Sequence, residues 1–178
     1  MQLHERLKFD LDAGQVLDTD RRYIILRADV LMGAFDRLDE LSRSHALEAL
    51  GESVTRFGSN SVRAYRAEVG ASALLDAMIS GSASLGWGRW SFVEEGERLW
   101  LEVFNSPFAA STSNRDRPAC DAIVGMLRAV GLALWGDKKP VYASELVCAC
   151  MQSDASARCR FLAESVPKLP PNAESVNE

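Results

Sequence analysis

The sequence has no cysteine before position 120, only two histidines, and no apolar run long enough to cross a bilayer as a helix. Each absence excludes something. A membrane-spanning helix needs roughly 18 or more consecutive apolar residues, so no span is expected. The two histidines, His4 and His45, both lie far from the cysteines in the chain, and neither is placed to activate a thiol as a nucleophile. An excess of basic residues is missing as well. The net charge is −5 and the isoelectric point is near 5.2. Nucleic-acid partners need a basic face, so none is expected. No apolar signal region follows Met1-Gln2-Leu3-His4-Glu5-Arg6. That predicts a cytoplasmic chain whose thiols stay reduced. The glycine-containing stretch GSASLGWG (81–88) falls between a predicted helix and a predicted strand, the wrong order for a dinucleotide-binding turn. No strand–turn–helix presents a serine nucleophile, and no internal repeat is found. The chain is therefore not expected to be an enzyme by itself.

What remains is an ordinary globular composition, 47% hydrophobic and 25% charged over 178 residues, which fits one core. A single domain is expected over 1–166. The segment 167–178, with three prolines among polar residues, is expected to be disordered.

Residues 7–27 read as strands: Leu7, Phe9 and Leu11 alternate with polar residues, and Arg22 to Arg27 (RYIILR) is rich in β-formers. Asp29 is expected to cap a helix over 30–41 with Leu31, Phe35, Leu38 and Leu41 on one face. A second helix is expected from Ser44 to about Val69, broken or bent at Gly58-Ser59-Asn60-Ser61, and a third over about 72–80. GWGRWSFVE and ERLWLEVFN read as a hairpin turning at Glu95-Gly96. That turn pairs Arg89 with Glu102, Trp87 with Phe104 and Trp90 with Leu101. One face then carries Trp90, Phe92, Leu99, Leu101 and Val103, a core face. The other carries Trp87, Arg89, Trp100, Glu102 and Phe104, which is mixed enough to line a pocket, meet a partner or lie under a helix. Residues 109–117 read as a loop. Pro118 suits the first turn of a buried helix ending at Trp135 before Gly136. The last two strands are expected at 140–151 and 156–164.

The four cysteines are Cys120, Cys148, Cys150 and Cys159. Cys120 falls at the start of the buried helix, where the helix dipole favours a thiolate. Pairing of the last strands about Ser153-Asp154 sets Cys148 opposite Cys159. Glu145, an odd number of positions from Cys148, needs a bulge to share its face. Three thiolates and a carboxylate would close a tetrahedral structural site, and zinc suits those donors. Four buried, inert cysteines are the alternative, since no Cys-x-x-Cys pair is present.

The segment Glu145-Leu-Val-Cys148, a turn, then Cys159-Arg-Phe161 resembles the C-terminal signature of the 4-vinyl reductase domain family. That family includes aromatic-sensing domains of bacterial regulators, a bacteriochlorophyll accessory protein and archaeal hydrocarbon-binding proteins. RRYIILRADVLMGAFDRL, LGWGRW, VFNSPFA and the cysteine opening the long helix fit the same pattern, over roughly 20–164. The resemblance implies an α+β fold, an antiparallel sheet packed with helices, related to nitric-oxide-signalling and trafficking-subunit ligand-binding domains. It implies a zinc held by Cys120, Glu145, Cys148 and Cys159. The turn between the last two cysteines is longer than the family's, which makes Cys150 a rival for Cys148. It also implies an internal pocket for a small apolar or aromatic molecule, with Phe57, Tyr65, Trp87, Trp100, Phe104 and Phe108 as candidate lining, and a homodimer. Family members that sense phenols anchor them with a histidine, and neither His4 nor His45 lies in the matching region. The readings that follow are a sensor or carrier domain, an accessory protein in tetrapyrrole vinyl reduction, or a structural dimerisation subunit.

Overall fold

The computed structural model describes residues 3–136, 139–154 and 156–165, so the segment 167–178 lies outside the described residues. The chain is α+β. A short helix α1 (Leu3–Arg6) precedes a three-stranded antiparallel sheet of β1 (Lys8–Asp10), β2 (Gln15–Asp18) and β3 (Arg21–Tyr23). Helices α2 (Ala28–Phe35), α3 (Glu40–Val69) and α4 (Leu74–Ser84) follow. Then come strands β4 (Arg89–Glu95) and β5 (Arg98–Phe104), helices α5 (Pro107–Ser111) and α6 (Asp121–Trp135), and strands β6 (Val141–Val147) and β7 (Cys159–Ser165). The second sheet has the order β4-β5-β7-β6, antiparallel throughout.

Packing explains the layers. Leu99, Leu101 and Val103 of β5 and Cys159, Phe161 and Ala163 of β7 share one face and are buried. Helix α6 packs against β6 and β7, and α3 packs along α6. Buried Ile123, Leu127 and Val130 give α6 its core contacts, while Val124, Met126 and Leu132 are partly buried. It is the central helix that its nearly continuous apolar circumference predicts.

Several expectations need correction. The strand over Arg22–Arg27 stops at Tyr23, and Ile24, Ile25 and Leu26 are exposed, because no strand pairs with them. Asp29 does not cap α2. Arg27 holds that position, and Asp29 pairs back to it in an exposed ion pair. The helix ends at Phe35, which leaves Leu38 and Leu41 exposed and makes Met32 its buried residue. Helix α3 is continuous through Gly58-Ser59-Asn60-Ser61. Gly58 lies under Met126 of α6, and Ser59 Oγ donates back to the Thr55 carbonyl at 2.6 Å. Tertiary packing outweighs the weak local propensity there. Asp39 caps α3 by accepting from the Ser42 amide, so the helix starts before Ser44. Within 109–117, the first residues belong to α5, which Ser106 caps. Helix α6 begins at Asp121, so Pro118 stands outside it.

The hairpin turns at Gly96-Glu97, one residue later than expected, because Glu95 pairs with Arg98. Arg89 therefore faces Phe104, Trp90 faces Val103 and Phe92 faces Leu101. The slip is an even number of residues, so the composition of both faces survives. Glu102 makes its ion pairs with Arg158 and Arg160, and Arg89 stacks over Phe104 at 4.5 Å.

Candidate metal centre and adjoining cleft

Three elements deliver four ligand atoms to one point. Cys120 caps α6 rather than lying in its first turn. Cys159 opens β7, opposite Val103 of β5. Glu145 faces Phe161 across β6 and β7. The register then shifts by one residue before Val147 pairs with Arg160. This is the irregularity that the odd Glu145–Cys148 spacing requires. It turns Cys148 to the buried side, where it leads into a single 3₁₀ turn, Ala149–Met151.

The ligand atoms of Cys120, Glu145, Cys148 and Cys159 all lie within 4.8 Å of one another, close enough to bind a metal ion. Cys120 Sγ is 3.6 Å from Cys159 Sγ and 3.9 Å from Cys148 Sγ. Tetrahedral zinc–thiolate bonds would set sulfurs about 3.8 Å apart. One carboxylate oxygen of Glu145 accepts from the Cys120 amide at 3.1 Å, whereas the other is buried without a hydrogen-bond partner. A buried carboxylate oxygen left bare is costly, and a cation would satisfy it. The Ala149 amide donates to Cys159 Sγ at 3.2 Å, and Ser106 Oγ lies 3.2 Å from Cys120 Sγ. The donor set therefore fits a thiophilic divalent ion, with outer partners orienting its ligands.

Cys150 stands outside the four. Its thiol lies 3.1 Å from Cys148 Sγ and donates to the Arg117 carbonyl. Burial, then the Cys148 thiol, push it up to about 12.

The electrostatics describe the same crowding. Cys148 is held well below the usual thiol range, first by the Cys120 thiol that donates to it. Cys120 is raised by its bonds to Cys148 and Cys159 and by burial. Cys159 is raised because the Cys148 contact and burial together outweigh the opposing effect of Cys120. Among the four ligand groups, Cys148 is the one whose thiol is lowered. Burial, and then the negative Cys148, push Glu145 up to about 9.

Glu145 has a consequence for stability. A carboxyl raised from its ordinary 4.5 to about 9 binds more protons folded than unfolded. Its stabilising effect is complete below pH 4.5 and is lost as pH rises toward 9. Chelator-treated Glu145→Gln is expected to lack this loss. Between pH 5 and pH 8 it should gain up to about 4 kcal/mol over equally treated wild type in denaturant melts. Parallel pH curves would rule out a strained carboxyl.

The same helix borders a cleft. A cavity of about 530 Å³ opens between β3, α3 and α4, with Met126 of α6 on its wall. Phe57, Tyr65 and Trp87 line it. Trp100 does not. It lies on the opposite face of the second sheet from Leu99 and Leu101, at a shallower hollow with Val93 and Arg160. Phe104 shares that opposite face, under Arg89 and Arg158. Phe108 is buried behind Trp87 and meets it edge-on, with centroids 5.4 Å apart. Neither histidine lines the cleft. Sequence reasoning missed Arg21, Tyr23, Val62, Met78 and Met126. Val54 stands three residues before Phe57 in α3, and that helical spacing is the available signal for the wall.

Comparison with known proteins places the architecture. The phenol-responsive sensory domain of the transcription activator PoxR, solved with phenol, superposes with a TM-score of 0.75. The two are 17% identical, over 92% of this chain and 86% of that one. A trafficking protein particle complex subunit 3 from Naegleria fowleri, covalently bound to palmitic acid, superposes with a TM-score of 0.51 at 8% identity, over 81% of this chain and 98% of that one. The chain shares the α+β fold of these structures. No protein-family model matches it, and no curated protein does. Among the described residues no helix is long and apolar enough to cross a membrane.

Proposed function

We propose that this chain is a non-catalytic small-molecule-binding domain, a sensor or carrier for an apolar or aromatic ligand, pinned by a structural zinc. The carrying observation is the cleft of about 530 Å³ walled by Phe57, Tyr65, Trp87 and Met126. Its size and its apolar wall with a few polar groups are those of ligand sites. The likeness in fold to a phenol-responsive sensory domain and to a palmitate-bearing subunit supports the reading. So does the order of motifs that resembles the 4-vinyl reductase domain family. Zinc on Cys120, Glu145, Cys148 and Cys159 would be closed to substrate and would serve to join α6 to β6 and β7.

The cleft can be tested by filling it. Gly81 lines it, and a Cβ there meets nothing within 4 Å. Gly81→Leu should therefore keep the fold and occupy the space. Biphenyl is expected to quench tryptophan emission in wild type, with Trp87→Phe removing most of the response. Gly81→Leu should weaken the binding by about tenfold or more. If biphenyl leaves the emission unchanged, or binds Gly81→Leu as it binds wild type, the cleft is not the ligand site.

A further inference from the structure

The cleft carries positive charge and no negative charge. Arg21 and Arg22 border it, with the hydroxyl-bearing Tyr23 and Tyr65, and no aspartate, glutamate, lysine or histidine does. That runs against a chain whose net charge is −5. Arg21 is half-buried, and its Nη1 donates to Ser61 Oγ at 3.2 Å. Neither Arg21 nor Arg22 makes an ion pair among the described residues. The acid nearest in register is Asp18, opposite Arg21 on β2. Its two oxygens are already occupied by Arg6, through Nε at 3.1 Å and Nη2 at 2.6 Å. A half-buried guanidinium held in place by a serine, with no ion-pair partner among the described residues, can receive an anion. Beyond it the wall turns apolar, through Val62, Met78, Trp87 and Met126.

We propose that the ligand of this cleft is an amphipathic anion, with a carboxylate head on Arg21 and an aromatic or aliphatic body along Trp87 and Met126. The inference rests on the cleft being the ligand site. A carboxylate matches one planar guanidinium fork. Arg21 and Arg22 are adjacent on a strand and project to opposite sides, and Arg22 is exposed, so the two do not form the double clamp that a phosphate dianion would use. Arg22 adds attraction at the rim. The volume also favours a larger body than one ring: a cavity of about 150 Å³ suffices for benzene, and this one measures about 530 Å³.

The test compares 2-naphthoate with its neutral isostere 2-naphthamide by calorimetry on the full chain. Naphthoate is expected to bind about tenfold or more tightly than naphthamide, and to weaken as salt is raised. Arg21→Gln should bring the two within about twofold of each other, chiefly by weakening naphthoate. Arg22→Gln, at an exposed position, should cost naphthoate only about two- to threefold. Equal affinity of the two compounds for wild type, or an unchanged ratio in Arg21→Gln, overturns the anionic head and leaves the apolar cleft standing. If neither naphthalene compound binds and biphenyl does not, the cleft reading falls and this inference with it.

Discussion

Cys120→Ala is expected to lose stoichiometric zinc and to lower the melting temperature by about 10 °C or more. The cause lies in what the four ligands join. Cys120 is separated from Glu145 by 25 positions, from Cys148 by 28 and from Cys159 by 39. One ion would close these loops together and pin the start of the central helix to the edge of the second sheet. Loss of a metal belongs to the short set of changes that cost about 4 kcal/mol or more. For a chain of this length each kcal/mol corresponds to roughly 2–4 °C. Chelation of wild type should reproduce most of the loss, and a chelated Cys120→Ala should melt close to chelated wild type. Cys148→Ser is expected to behave like Cys120→Ala. Cys150→Ser should retain zinc, because Cys150 stands outside the four and directs its thiol to the Arg117 carbonyl. Elemental analysis showing no zinc in wild type, or Cys120→Ala as stable as wild type, would sink the metal reading. Zinc retained by Cys148→Ser and lost by Cys150→Ser would exchange the roles of the two.

The cysteine–glutamate cluster was more legible in the sequence than the cleft, for a physical reason. Its donors are chemically distinctive residues at the ends of elements whose order the pattern reveals. The odd spacing from Glu145 to Cys148 predicts a strand irregularity, and the register shift between Glu145 and Val147 supplies one. The hairpin shows what period-two patterning can and cannot give. It assigns Trp90, Leu99, Leu101 and Val103 to the core face, yet it leaves the register two residues off, because a turn moved by one position preserves both faces. The cleft is assembled from the sides of three helices and the whole of the short strand β3. Nothing local in the sequence separates Phe57, which borders it, from Phe104, which stacks under two arginines on the outer face of the sheet. Arg21 and Ser61 meet only because α3 runs unbroken past Gly58, and that continuity comes from packing on α6.

Gly125→Ala tests that packing, and it is expected to cost about 3 kcal/mol or more. Helices α3 and α6 meet backbone to backbone. A Cβ on Gly125 would lie 2.0 Å from the Gly51 carbonyl oxygen, and one on Gly51 would lie 2.7 Å from that of Asp121. Thr55 Oγ1 lies 3.0 Å from both the Gly51 and Gly125 carbonyl oxygens and ties the crossing together. The obstacle to an added methyl is main chain on both sides, so no side-chain rotation relieves it and the helices must separate. Separation would be felt at both ends of the argument. It would draw Cys120, at the start of α6, from Glu145, Cys148 and Cys159, and would shift Met126 on the wall of the cleft. Gly125→Ala is therefore expected to lower zinc affinity and biphenyl binding together with the melting temperature. Gly33→Ala in α2, where a Cβ meets nothing within 4 Å, should instead stabilise by up to about 1 kcal/mol through helix propensity. Wild-type melting and zinc content in Gly125→Ala would show that the two helices do not approach this closely, and the shared origin of metal centre and cleft on α6 would lose its support.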